Sequence, residues 1–318
     1  MPSDYLHNHK DFSDLLNILA DEKSIQPALI EKDYWLMHVL FGLRKQGFDF
    51  ELKGGTSLSK GYKIIDRFSE DIDIHIKPPP KLNVEENPNK NKPSQKESRR
   101  KYFDWLAKEI KIAGVISNER DHAFDNTNTF RNGGIRLLYE SKTAGISGVK
   151  EGILLEAGFD TVTPYNRLTI SSWAYDRALT IPGIEFIDNR AIDIACYHPG
   201  YTFVEKLQTI VTKFRQYQGS AVLQPNLMRQ YYDVYCLLNN PEVQQFVGTT
   251  EYEKHKIDRF PKQDLVVPIA KNEAFLLSDP EIRATFKKSY EETEALYFNG
   301  QPDFDKLLGR IKSNIDKL

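Results

Sequence analysis

The residues best placed to do chemistry lie in one short stretch, Asp71-Ile72-Asp73-Ile74-His75-Ile76, where polar and apolar residues alternate strictly. As a β-strand it puts Ile72, Ile74 and Ile76 on one face and Asp71, Asp73 and His75 on the other. Two carboxylates side by side raise each other's cost of ionisation unless a cation lies between them. Mg²⁺ (or Mn²⁺) suits that place, since such hard cations prefer carboxylate oxygen together with phosphate oxygen. His75 shares the aspartate face, where it could be a ligand or support one from behind.

A metal pair needs something to hold the phosphate. Upstream, Phe48, Phe50 and Leu52 alternate with polar residues and stop at Gly54-Gly55, which predicts a short strand running into a turn bare of side chains. Leu58, Tyr62, Ile65 and Phe68 have the spacing of one helical face, so a helix over 57–68 is expected, capped by Thr56 or Ser57. A glycine turn at a helix start presents backbone amides to an anion. Phosphate cradle and metal pair, joined by one helix, suit nucleoside triphosphate chemistry.

The Gly-Gly turn followed by Asp-x-Asp on a strand resembles the nucleotidyltransferase superfamily, the polymerase-beta-like fold. The fuller wording Lys53-Gly54-Gly55-Thr56-Ser57-Leu58-Ser59-Lys60 with Arg67-Phe68-Ser69-Glu70-Asp71-Ile72-Asp73 resembles its AbiEii-type toxin branch, and the wide separation of glycines and aspartates favours that branch. Glu31-Lys32-Asp33-Tyr34-Trp35 resembles a recurring segment of the same family; read physically, its three adjacent charges on an apolar helix are a solvated edge or, as the second reading, support the site from behind. Thr202-Phe203-Val204-Glu205-Lys206-Leu207 is similar to a motif whose lysine is thought to meet the nucleotide, here Lys206. Arg229-Gln230-Tyr231-Tyr232-Asp233-Val234-Tyr235 resembles one ending on a functional aspartate, here Asp233. Read without the family, Lys206 is a lysine bordering an apolar stripe, and Asp233 an ion-pair partner for Arg229, four residues away on its helix.

Composition bounds the rest. The chain has 318 residues, 40% hydrophobic and 12% aromatic, enough for two domains with real cores. Formal net charge is −2, so any nucleic-acid contact must come from a local patch. The two cysteines, Cys196 and Cys236, have neither zinc-site spacing nor the density of a secreted scaffold, and a reducing cytosol is expected. No run approaches a membrane span.

In chain order, Phe12, Leu15, Leu16 and Leu19 mark one helix, and Pro27 leads a second through Ile30, Tyr34, Met37 and Phe41. Residues 77–101 carry five prolines and eight Lys or Arg against three Glu, and read as a mobile basic loop, either a guide for a nucleic-acid backbone or a soluble insertion. A helix is expected over 102–112, then strands over 134–140 and 152–159 forming a hairpin. Glu156 on the second of these could be a third carboxylate beside Asp71 and Asp73, as the superfamily often has, or one end of a cross-strand salt bridge. A strand is expected over 184–197, then a domain boundary at His198-Pro199-Gly200, then helices with starts at Pro225, Asp279-Pro280 and Pro302.

The expected fold class is therefore α/β (α+β): a nucleotidyltransferase domain with a small mixed sheet over 1–199, and a mostly helical domain over 200–318 closing the nucleotide cleft. Asp71 and Asp73 would hold the metal. Gly54, Gly55, Thr56, Ser57, Lys60 and Lys206 would contact the nucleotide, with Lys206 balancing charge on the leaving group, and Asp233 and Glu156 would orient the acceptor or act as base. The resemblance implies a toxin of a toxin–antitoxin or phage-defence pair with a separately encoded antitoxin, transferring a nucleoside monophosphate to a hydroxyl at the acceptor end of tRNA, and a cytoplasmic location is expected. A protein side chain as acceptor, or a non-catalytic module that binds nucleotide and a partner, are the alternatives.

Overall fold

The computed structural model describes residues 4–145, 150–160, 162–224 and 226–318, and the chain divides into two compact units, residues 1–61 with 68–197 and residues 62–67 with 198–318. The first is mixed α/β. Its helices α1 (Phe12–Lys23) and α2 (Pro27–Lys45) start where Phe12 and Pro27 were expected to start them. Its sheet consists of β1 (Phe50–Lys53), β2 (Asp71–Ile76), β3 (Val115–Asp121), β4 (Asn132–Tyr139), β5 (Ile153–Gly158), β6 (Tyr165–Ile170) and β7 (Ala191–Tyr197), in the order β3-β4-β5-β2-β1-β7-β6. Central β2 runs antiparallel to β1 and parallel to β5, and β4 with β5 is the expected antiparallel hairpin. Part of its connection, 146–149, and the expected helix start Pro225 lie outside the described residues.

Alternation decides which face is buried. Ile72, Ile74 and Ile76 are fully enclosed, with Leu155 and Ala157 in register beside Ile72 and Ile74 and with Ile135 and Leu137 buried one strand further out on the same face. Trp35 of α2 stacks on Tyr139, ring centroids 4.4 Å apart. The opposite face of β2, carrying Asp71, Asp73 and His75, is half-buried.

Three expectations change. The helix after the glycines is short: Gly54–Thr56 (α3) continues only as a wider π-turn to Gly61, because Lys63 takes φ +55°, outside the helical region, and residues 62–67 join the other unit. Only 191–197 of the expected 184–197 strand is extended, while β3, β6 and a short helix, α5 (Trp173–Ala178), form where no strong periodicity marked them.

The third change concerns the basic stretch 77–101. Its second half is the start of α4 (Pro93–Glu109), which runs further back than the expected 102–112. Arg99 is fully buried, donating from Nε to Thr129 O at 2.8 Å, from Nη1 to the carbonyls of Glu85, Asn87 and Lys90, and from Nη2 to Lys90 O and Asn91 Oδ1. Arg100 is paired with Glu97 and Asp104, and Lys90 with Glu85. The local charge excess is thus partly satisfied within the segment, and one arginine is the peg around which 85–91 is wound.

The second unit is helical: α6 (Pro199–Ser220), α7 (Leu227–Leu237), α8 (Pro241–Phe246), α9 (Thr250–Arg259), α10 (Glu273–Leu276), α11 (Pro280–Glu291) and α12 (Phe304–Lys312). The stripe Phe203, Leu207, Ile210, Val211 and Phe214 of α6 is buried as its spacing requires. Asp279 and Asp303 cap α11 and α12 by accepting first-turn amides.

Removing the Arg99 guanidinium leaves several carbonyls of 85–91 without their donor. Arg99→Ala is expected to cost about 3 kcal/mol or more, and Arg99→Lys, with no planar fork, to recover little of it. Urea unfolding of both variants checks this; near-wild-type stability of Arg99→Ala would mean the peg is dispensable.

Candidate active site

The sheet register sets the carboxylates. Asp73 lies opposite Lys53 of β1 on one side and opposite Glu156 of β5 on the other, so Asp71, Asp73 and Glu156 share one face at the middle of the sheet. Burial first, then the charges of Asp73 and Glu70, push the Asp71 carboxyl up to about 6, against the opposing pull of Lys32 and Lys150. Burial, then Asp73 and Asp71, push Glu156 up to about 8, despite Lys53 and Lys150. Burial and mutual repulsion together disfavour ionisation of these neighbouring acids. Glu156 is thereby found beside Asp73 and not in an ordinary salt bridge to one partner.

Among the described residues no three His, Cys, Asp or Glu side chains are placed to hold a metal by themselves. Asp71 and Asp73 nevertheless fit an ion such as Mg²⁺, which usually takes only one or two protein carboxylates and completes its shell with water and phosphate oxygen.

Gly54 sits at the end of β1 with φ +71°, where a Cβ would collide with the carboxylate of Asp73. Only a residue without a side chain lets the backbone come so near that acid. The Thr56 hydroxyl donates to Asp71 O at 2.5 Å, tying the turn to the start of β2. Thr56 and Ser57, expected with the glycines at the nucleotide, are both fully buried.

Two further expectations are corrected. Lys60 turns its ammonium to buried Asp33, 2.6 Å away, and lies over the Trp173 ring instead of reaching toward the glycine turn's anion site. Asp33 also accepts from the backbone amide of Trp173 at 2.8 Å. Glu31, Lys32 and Asp33, read as a solvated edge, are all buried: Glu31 accepts from Ser141 Oγ, Lys142 N and Thr143 Oγ1, and Lys32 donates to Lys150 O at 2.7 Å and pairs with Glu70 at 3.7 Å. Burial pulls the Lys32 ammonium below its usual range, with Glu70 and Asp71 opposing. His75 Nδ1 is hydrogen-bonded to Glu51 at 2.7 Å, which supports the strand from behind the aspartates and commits that nitrogen.

In the second unit, Asp233 is fully buried on α7. Arg67 grips it with Nε and Nη2, each at 2.7 Å, and Lys206 of α6 reaches it at 3.0 Å. Although burial pushes the carboxyl up, those two cations outweigh it and hold Asp233 below its ordinary range. Asp233, expected to orient the acceptor or act as base, is enclosed by these two cations within the second unit. Arg67 was inside the quoted motif yet received no role from its spacing, because its partner lies 166 residues away.

A family model described as nucleotidyl transferase AbiEii toxin, type IV TA system, matches residues 38–310. The chain belongs to this family. It is a nucleotidyltransferase, and its α+β architecture with a seven-stranded mixed sheet agrees with that class. Comparison with curated proteins finds no match. The AbiEii match begins at residue 38 and so leaves out the 31–33 cluster, whose buried charges connect α2 to Glu70 and to the 141–143 segment. Among the described residues no helix is long and apolar enough to cross a membrane.

Two outcomes follow from the charges. Because the folded Glu156 acid is raised to about 8, its ionised form costs stability, fully above about pH 8 and progressively less as pH falls toward its unfolded value of about 4.5. Glu156→Gln should therefore be more stable than the parent at pH 8.5, by about 1–3 kcal/mol without divalent ions, and the gap should close toward pH 4.5. Melting curves across that range, with a gap that does not change with pH, would show that the acid is not crowded. In the second unit, Asp233→Asn leaves Arg67 and Lys206 facing each other and is expected to cost about 3 kcal/mol, whereas Asp73→Asn should unfold no more easily than the parent. Chemical denaturation of the two variants side by side distinguishes the paired acid from the crowded one.

Proposed function

We propose that the chain transfers a nucleoside monophosphate from a nucleoside triphosphate to a hydroxyl at the 3′ end of tRNA, acting in the cytoplasm as a toxin restrained by a separately encoded antitoxin. The single observation carrying the site assignment is the bare Cα of Gly54 against the carboxylate of Asp73, with Asp71 and Glu156 crowded beside it. The tRNA acceptor and the antitoxin rest on the AbiEii family match and the resemblance of the motifs.

Asp71 and Asp73 would hold the divalent ion, which when bound supplies charge neutralisation for the pair and for the phosphate oxygens. Gly54 and Gly55 would bring backbone amides to the β,γ-phosphates, with Thr56 fixing the turn to β2. Glu156, whose raised pKa of about 8 in the metal-free chain lies near neutrality, would accept the proton of the acceptor hydroxyl. The acceptor oxygen then bonds to the α-phosphorus, the bond to the bridging oxygen of the β-phosphate breaks, and pyrophosphate leaves. Lys206 is the residue the resemblance matches to the family's nucleotide-contacting lysine; within the second unit its ammonium is held by Asp233, which Arg67 grips.

The test is incubation of the pure protein with each α-labelled triphosphate and total tRNA, with and without Mg²⁺. Label should move to RNA only with the metal, and Asp73→Asn should reduce transfer at least 10³-fold while keeping its fold. Gly54→Val should do the same and lose triphosphate affinity, being strained and blocked. Wild-type turnover in Asp73→Asn would dismiss the site, and label on protein but not on RNA would replace the acceptor.

A further inference from the structure

Beyond the phosphate turn and the metal pair, the first unit holds a cavity that neither uses. Gly54 meets Asp73 from the β1 side of β2. Across the sheet, beside β4 and the chain leading into β5, lies a cavity of about 350 Å³. Its size is that of a small-ligand pocket. Asp71 registers with Leu154, two residues after cavity-lining Gly152, so the cavity lies at the Asp71 end of the strands.

Its walls are of two kinds. Ile116, 71% exposed at the rim, and Leu138 make an apolar face, and Lys32 and Lys150 make a cationic one. Both lysines act electrostatically on Asp71. Lys32 is the unusual residue, 2% exposed, donating to Lys150 O at 2.7 Å and held to Glu70 by an ion pair stretched to 3.7 Å. Burying a charge is costly, and a carboxylate at that distance offsets it only in part. Glu31, which also lines the cavity, does not oppose an anion strongly, since three donors from 141–143 already satisfy it, and Glu151 is exposed.

We propose that this cavity receives the terminal nucleoside of an RNA acceptor strand, its base against Ile116 and Leu138 and the adjoining phosphate at Lys32 and Lys150. An apolar slot with a cationic wall matches a base joined to a phosphodiester. A serine- or tyrosine-bearing peptide brings no such anion. The arrangement sets the triphosphate on the β1 side and the acceptor on the β4–β5 side, with Glu156 on the acceptor side of Asp73. This assignment rests on the transferase reading, naming the acceptor's place in it.

The test measures binding without metal or triphosphate, so it stands apart from any failure to detect transfer. A 5′-fluorescein RNA trinucleotide with a free 3′ hydroxyl is titrated against the full chain, Lys32→Met and Ile116→Glu, with fluorescence anisotropy as readout. Wild type should bind, and each variant at least 10-fold more weakly. Lys32→Met removes the partner of Glu70 and the donor to Lys150 O and should melt lower than wild type, and Ile116→Glu, at an exposed position, reads the same wall should Lys32→Met not fold. Unchanged affinity in a folded variant, no binding by wild type, or a preference for a serine peptide over the trinucleotide would each overturn the assignment.

Discussion

Three carboxylates within one register of a parallel strand pair are the constraint that organises the first unit. Asp71, Asp73 and Glu156 cannot all be ionised cheaply in a half-buried setting, and the surrounding chain meets part of that cost with Lys32, Lys53 and Lys150 at its margins. The glycine turn belongs to the same constraint: any side chain at Gly54 would occupy the space against Asp73. Thr56 then ties turn and strand together through the Asp71 carbonyl.

Buried polar groups elsewhere act as joints of the scaffold. Asp33 binds Lys60 and the start of α5, Glu31 gathers 141–143, and Arg99 gathers 85–91. Each satisfies backbone amides or carbonyls of irregular segments that have no ladder of their own. In the second unit the pairing of Arg67 with Asp233 does similar work, and Lys206 is fixed by an acid that two cations keep ionised. Arg67 comes from residues 62–67, a short piece of early chain built into the helical unit, where Phe298 N donates to Asp66 O at 3.1 Å and Tyr232 Oη accepts from Asp66 N.

Local pattern was enough for much of this protein. The alternation of Asp71 to Ile76, the proline and aspartate helix starts, the hairpin of β4 and β5, and the α6 stripe all depend on neighbours within a few residues, so period and capping chemistry show them directly. The family was legible for the same reason, since its glycines, aspartates and surrounding residues form contiguous strings. Tertiary structure decided what depends on distant partners. Which residue faces Asp73 across the sheet is a matter of strand order, and whether Glu31, Lys32, Asp33 and Arg99 are solvated or buried is settled by segments far along the chain. Lys60 and Asp233 show the same limit: their types suggested ligand contact and acid–base work, but Asp33 and the Arg67–Lys206 pair, brought close only by folding, take up their charges. Sequence spacing reports faces and caps because these are short-range; the electrostatic role of a charge is set by whatever the fold places within a few ångströms of it.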